Sequence, residues 1–147
     1  TVGGTLPWVN NFRYLGIVLV QSRNFRCSLS DAKKSFYRSL NAIFGRIGRQ
    51  SSEEVVLQLM SSKCLPILLY GLEACPLNKS DLNSLDFAVN RFLMKLFNTI
   101  NVDIIAECRS FFNVPLPSCS ISHRADTFVK KYSNCGNALC KILAGIG

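Results

Sequence analysis

From Cys64 to Cys75 the chain reads CLPILLYGLEAC, twelve residues in which Glu73 is the only charge. A run of that length falls well short of the roughly 20 apolar residues needed to cross a bilayer. It must therefore be covered by other parts of the chain, which makes Leu65 to Leu72 the expected central buried element. Glu73, set inside it, is expected to cap neighbouring backbone or to pair with an arginine. The residues before the run supply its lead-in. Ser51 and Glu54 have capping-box spacing, and the Glu53-Glu54 doublet suits the positive end of a helix dipole. Val55, Val56, Leu59, Met60 and Cys64 follow as an apolar stripe. The spacing predicts a helix that Pro66 bends or interrupts and that ends near Gly71.

Amphipathic helices flank this segment on both sides. Asn78 and Asp81 form a cap-like start for Leu82, Leu85, Val89, Phe92, Leu93, Leu96 and Phe97, the clearest helical periodicity in the chain. Arg91 and Lys95 share a polar face of that helix, either an extension of a basic track or a solvated face. Ser30-Asp31 opens an earlier helix reaching about Arg49, with Ala32, Phe36, Leu40, Ile43 and Ile47 on one side. At 100° per residue, Lys34, Arg38, Asn41, Gly45 and Arg49 fall on the other. Gly45 costs helix stability of about 1 kcal/mol. It is explained by close approach of a nucleic-acid backbone, or equally by a crossing helix or by fraying before Gly48.

A shorter helix is expected over residues 102–111. The stiff joint Val114-Pro115-Leu116-Pro117-Ser118 then leads to a helical hairpin, about 121–132 and 138–143, around Asn134 to Gly136. At the start, two β-type runs, Leu6 to Val9 and Phe12 to Val20, are separated by Asn10-Asn11, a pair suited to a tight hairpin turn. The second run is apolar on both faces and is expected to lie against other structure. The expected fold class is mainly α, with an N-terminal β-hairpin, a helical bundle and a C-terminal helical hairpin. The divisions fall at residues 1–29, 30–100 and 101–147.

With 48% hydrophobic and 18% charged residues among 147, the chain can build one core and is not disordered. Low charge also suggests apolar surface that expects a partner, such as the remainder of a longer polypeptide. The net charge of +8 is unevenly placed. Residues 1–50 carry eight basic side chains against Asp31 alone, whereas residues 51–100 carry four basic against five acidic. That asymmetry favours contact with a polyanion, the alternative being a solvated basic face. No secretory signal or membrane span is visible, and an intracellular location is expected. Seven cysteines without a CxxC pair read as free, mostly buried thiols.

Catalytic chemistry is sparse. Two-metal catalysis needs converging carboxylates, and the sequence has nine in all, with Glu53-Glu54 the sole doublet. There is no GxxxxGK[ST] loop. Cys119, His123 and Asp126 share one face of an expected helix, but such a trio supplies no oxyanion hole by itself. The spacings of Cys108, Cys119, His123 and Cys135 match no short metal hook. No catalytic or metal-ligating residue is expected.

Phe12-Arg13-Tyr14-Leu15-Gly16-Ile17 resembles the FxYLG segment that closes the palm of reverse transcriptases from non-LTR (LINE-type) retrotransposons, where it helps seat the primer end. Lys63 to Glu73 resembles the thumb segment of that family ending in LPxLLYGxE, and Arg91 to Phe97 resembles the helix after it. These marks cover residues 6 to about 100. The family often has Trp two residues after the YGxE glutamate, where this chain has Cys75. The resemblance implies the primer-grip end of a palm and a thumb, within an enzyme that copies RNA into DNA at a nicked target. Its two magnesium ions are held by palm aspartates in a YADD-type motif, absent here, so no cofactor is expected in this chain and it is not expected to polymerise alone. Implied partners are an RNA-DNA template-primer duplex and the remainder of the reverse transcriptase, which would be nuclear. Phe12, Arg13, Tyr14, Leu15 and Gly16 would form the primer grip, while Lys33, Lys34, Arg38, Asn41, Gly45 and Arg49 would follow nucleic-acid backbone. Phe25 or Tyr37 could stack on a nucleotide, although Tyr37 borders the apolar face. The competing expectation is a non-catalytic helical protein-interaction domain.

Overall fold

The structure is a computed structural model that describes residues 4, 7–47 and 50–144. Leu6, Gly48 and Arg49 lie outside the described residues. The chain is mainly helical, with a small antiparallel sheet at its start.

Strands β1 (Asn11–Tyr14) and β2 (Ile17–Val20) pair Tyr14 with Ile17 and Asn11 with Val20. The hairpin therefore turns at Leu15-Gly16, not at the expected Asn10-Asn11. Both turn residues have positive φ, 46° at Leu15 and 88° at Gly16, as a two-residue turn needs if its twist is to match that of the strands. The run Phe12 to Val20 is folded back at its middle. Asn10 instead extends the ladder, its carbonyl accepting from the Gln21 N–H at 2.8 Å. On the other edge of β2 lies β3 (Cys27–Ser28), with Leu19 opposite Cys27, which makes β2 the central strand. Ile17, Val18 and Leu19 are half-buried, while β1 is exposed throughout.

Helix α1 (Ser30–Ile47) buries Phe36 and Leu40. Next come α2 (Glu53–Leu59), a π turn (Met60–Cys64) and α3 (Leu65–Leu68). The expected Ser51/Glu54 capping box does not form. The N-cap is Ser52, without a side-chain bond, so Glu54 stands one position too early to reach back. The expected interruption at Pro66 takes the form of the π turn. Proline lacks an N–H and its ring would crowd the carbonyl four residues back. The wider π ring absorbs the misfit, and Pro66 sits in the first turn of α3. Gly71 follows with φ 69° and leads into a 3-10 turn (Leu72–Ala74).

Helix α4 (Lys79–Leu96) has the expected capping box: Asn78 Oδ1 accepts from the Asp81 N–H at 2.8 Å, and Asp81 Oδ2 accepts from the Asn78 N–H at 3.2 Å. Replacing Asn78 by Ala is expected to lower stability by about 1 kcal/mol, read from the urea unfolding midpoint at unchanged m-value. Helix α5 (Val102–Phe111) is capped by Asn101. Helix α6 (Pro117–Ser133) begins four positions before the expected Ile121, with Pro117 in its first turn. Its N-terminus is capped from another helix, because Asp86 of α4 accepts from the Ser118 N–H at 2.8 Å. Helix α7 (Ala138–Ala144) closes the expected hairpin.

One buried cluster unites Phe36, Leu40, Val56, Met60, Leu68, Leu85 and Leu93 with Ile105, Val114 and Ile121. The start of the C-terminal segment thus packs on the same core as the bundle. All seven cysteines are free, but only Cys27 and Cys64 are buried, and Cys119 is exposed. Burial pushes the Cys64 thiol up. The Cys75 thiol rises to about 12, chiefly through burial and then through the neighbouring Cys27. Among the described residues, no helix is long and apolar enough to cross a membrane.

Candidate nucleic-acid interface

The turn Leu15-Gly16 brings the hairpin tip onto the segment after α3. A Cβ on Gly16 would lie 3.0 Å from Cε1 of Tyr70, and one on Gly71 would lie 2.5 Å from Cδ1 of Ile17. Two glycines with positive φ thus interlock the hairpin with Tyr70-Gly71. Beside this contact a cleft of about 540 Å³ opens between the hairpin, α1 and α3, lined by residues including Arg13, Leu15, Ser35, Ile67 and Tyr70. Phe12, Tyr14 and Leu15 are exposed.

Along α1, Lys34, Arg38, Asn41 and Gly45 are all exposed on successive turns of one face. Among the described residues, nothing lies within 4 Å of a Cβ built on Gly45, so none of the described helices crosses closely there. Helix α1 continues past it to Ile47. Lys33 points elsewhere: its Nζ donates to Ser84 Oγ at 2.8 Å and ties α1 to α4. A groove of about 360 Å³ between α1 and α4 is lined by Tyr37, Leu40, Asn41, Arg91, Phe92 and Lys95. The Lys95 ammonium stands 5.2 Å from the centre of the Phe44 ring, a favourable cation–π placement. Asn41 and the two α4 cations therefore share one groove. Their link was legible only as a four-residue spacing within α4, because nothing local says which helix α4 faces.

Of the two stacking candidates, Tyr37 is half-buried at the core margin and tilted against Phe36 at 5.6 Å, whereas Phe25 is exposed. The expected capping or pairing of Glu73 is not seen among the described residues, where its buried Oε2 has no hydrogen-bond partner. Cys119, His123 and Asp126 are all exposed on α6. Among the described residues, no group of three or more His, Cys, Asp or Glu side chains is placed to hold a metal ion. The carboxylates described here do not offer the ligand set that the magnesium ions implied by the resemblance would need. Comparison with protein-family models, curated proteins and solved structures finds no match.

Proposed function

We propose that the chain is the end of the palm and the thumb of an RNA-directed DNA polymerase of the non-LTR retrotransposon kind. In this reading it grips an RNA-DNA template-primer through phosphates and contributes no catalytic group. The observation that carries the reading is the interlock of Gly16 with Tyr70 and of Ile17 with Gly71. Two segments that resemble the family separately, and lie far apart in sequence, pack directly on each other. A primer-grip hairpin and a thumb must do so if the thumb is to track the duplex that the hairpin seats.

Lys34 and Arg38, one turn apart, stand about 6 Å apart along the helix axis, and Arg91 and Lys95 flank the adjoining groove. Cations in such a row neutralise backbone charge without reading bases, which suits a surface that slides one base pair per addition. Gly45 leaves the row open to close approach. Lys33, held by Ser84, is not part of it. Palm aspartates and magnesium belong to the remainder of the polypeptide, which would act in the nucleus. Exposed Trp8, Ile100 and Phe111 fit apolar contact with that remainder.

The test is anisotropy titration of RNA-DNA duplexes of two unrelated sequences at several salt concentrations. If Lys34, Arg38, Arg91 and Lys95 each neutralise a phosphate, log affinity falls linearly with log salt at a slope of about −3 to −4. The two sequences bind alike. Absence of binding, or binding indifferent to salt, would leave only the protein-interaction reading.

A further inference from the structure

Cys27 and Cys75 lie far apart in the chain, yet the docking of the sheet brings their sulfurs together. Strand β2 carries both connections. Toward one side Ile17 packs on Gly71, where an added Cβ would fall 2.5 Å from Ile17 Cδ1. Toward the other, Leu19 pairs with Cys27 of β3. The Cys75 thiol turns back and donates to the Gly71 carbonyl at 3.6 Å, and the Cys27 thiol lies within hydrogen-bonding reach of it. Both backbones are anchored, Cys27 by the ladder and Cys75 by its N–H, which donates to the Leu72 carbonyl at 3.2 Å. Cys27 is buried but Cys75 is only half-buried, so a small oxidant has one sulfur to reach.

A bond between these sulfurs would fix what packing alone holds. The sheet has three short strands, with β1 exposed throughout, and a sheet so small depends on support from elsewhere. We propose that Cys27 and Cys75 form a redox staple, a dithiol under reducing conditions that a low-molecular-weight disulfide such as oxidised glutathione converts to a disulfide, locking the sheet to the segment after α3. The Cys75 thiolate attacks one sulfur of oxidised glutathione, whose S–S bond breaks as one glutathione leaves. The Cys27 thiolate then attacks Cys75 Sγ of the mixed disulfide, and the second glutathione leaves. The two protein thiols lose two electrons and two protons, and the two released glutathione thiols carry them away. Burial, and then the neighbouring Cys27, keep the Cys75 thiol protonated at neutral pH, so the staple closes only under sustained oxidation. Cys135 and Cys140 are also neighbours, but both belong to the joint between α6 and α7, and a bond there would tie only that turn.

The test incubates the whole folded chain with oxidised glutathione at about pH 8.5, where thiolate is more abundant. Remaining thiols are then alkylated, and the unreduced protein is cut with trypsin and a glutamate-specific protease and mapped by mass. Cleavage after Glu73 separates Cys75 from Cys64, so the expected product, residues 27–33 joined to 74–79, is unambiguous. The urea midpoint of the oxidised chain should rise, because the link closes a long loop in the unfolded state, and dithiothreitol should return it. Cys75→Ser, a change at a half-buried position, should lose both the joined peptides and the rise. Cys27 and Cys75 recovered alkylated while Cys135 and Cys140 are joined overturns the proposal. So does a Cys27–Cys75 bond that lowers the midpoint, which would mean that the folded chain must distort to form it. No nucleic acid enters the measurement, so its outcome is separate from that of the duplex reading.

Discussion

Leu68→Ala is expected to lower the unfolding free energy by about 2–5 kcal/mol, a large part of the roughly 5–15 kcal/mol that holds a domain folded. Leu68 is fully buried, at 0% exposure, in a helix of only four residues that packs on α1. So short a helix cannot persist by its own hydrogen bonds. It stands because Leu65 and Leu68 are held in the core beneath α1. Truncating Leu68 leaves a cavity and loosens the segment that positions Tyr70 and Gly71 against the hairpin. Ile67→Ala, next in the chain but 39% exposed, removes the same side-chain carbons and should cost under about 1 kcal/mol. Urea unfolding of both variants decides the matter. Equal midpoints would show that the core is not centred on α3.

The contrast between Leu68 and Ile67 also marks how far the sequence could be read. That the run from Leu65 to Leu72 is central followed from its apolar character and its length. Which of its side chains point inward did not, because the π turn just before Leu65 resets the helical phase. Long amphipathic stretches fared best, since α4 repeats its apolar stripe over five turns and no single residue can shift it. Short-range signals fared worse. Asn10-Asn11 has better turn chemistry than Leu15-Gly16, yet the strands pair around Leu15-Gly16, where Leu15 carries a left-handed φ costing about 1–2 kcal/mol. Docking of Gly16 on Tyr70, some 55 positions later, is the contact that offsets it, and no local pattern contains that information. Ser51 and Glu54 failed for a similar reason, as one residue of slip in the helix start removes the box.

The candidate site divides along the same line. Lys34, Arg38, Asn41 and Gly45 lie on a single helix, so 100° per residue was enough to group them. Lys33 stands next to Lys34 in sequence, but its angle around α1 turns it toward Ser84. Arg91 and Lys95 join only through the packing of α4 beside α1.

Reversing both charges on α1, Lys34→Glu with Arg38→Glu, should cut affinity for RNA-DNA duplex by on the order of a hundredfold or more at about 50 mM salt. Each substitution removes a charge-assisted contact and adds a repulsion. The loss should shrink toward about 200 mM salt, because fewer counterions are released on binding and the log–log slope becomes shallower by about two. Both side chains are exposed and α1 is held by its opposite face, so the unfolding midpoint should move little. Reversal at Lys63, exposed on the π turn rather than on α1, changes net charge by half as much without touching the row. If affinity followed net charge alone, Lys63→Glu would give half the logarithmic loss of the double variant. If the row on α1 is the contact, Lys63→Glu leaves both affinity and slope close to those of the unsubstituted chain. A proportional loss at Lys63 would reduce the interface to a diffuse positive field and remove the case for a thumb that tracks the backbone along one helix.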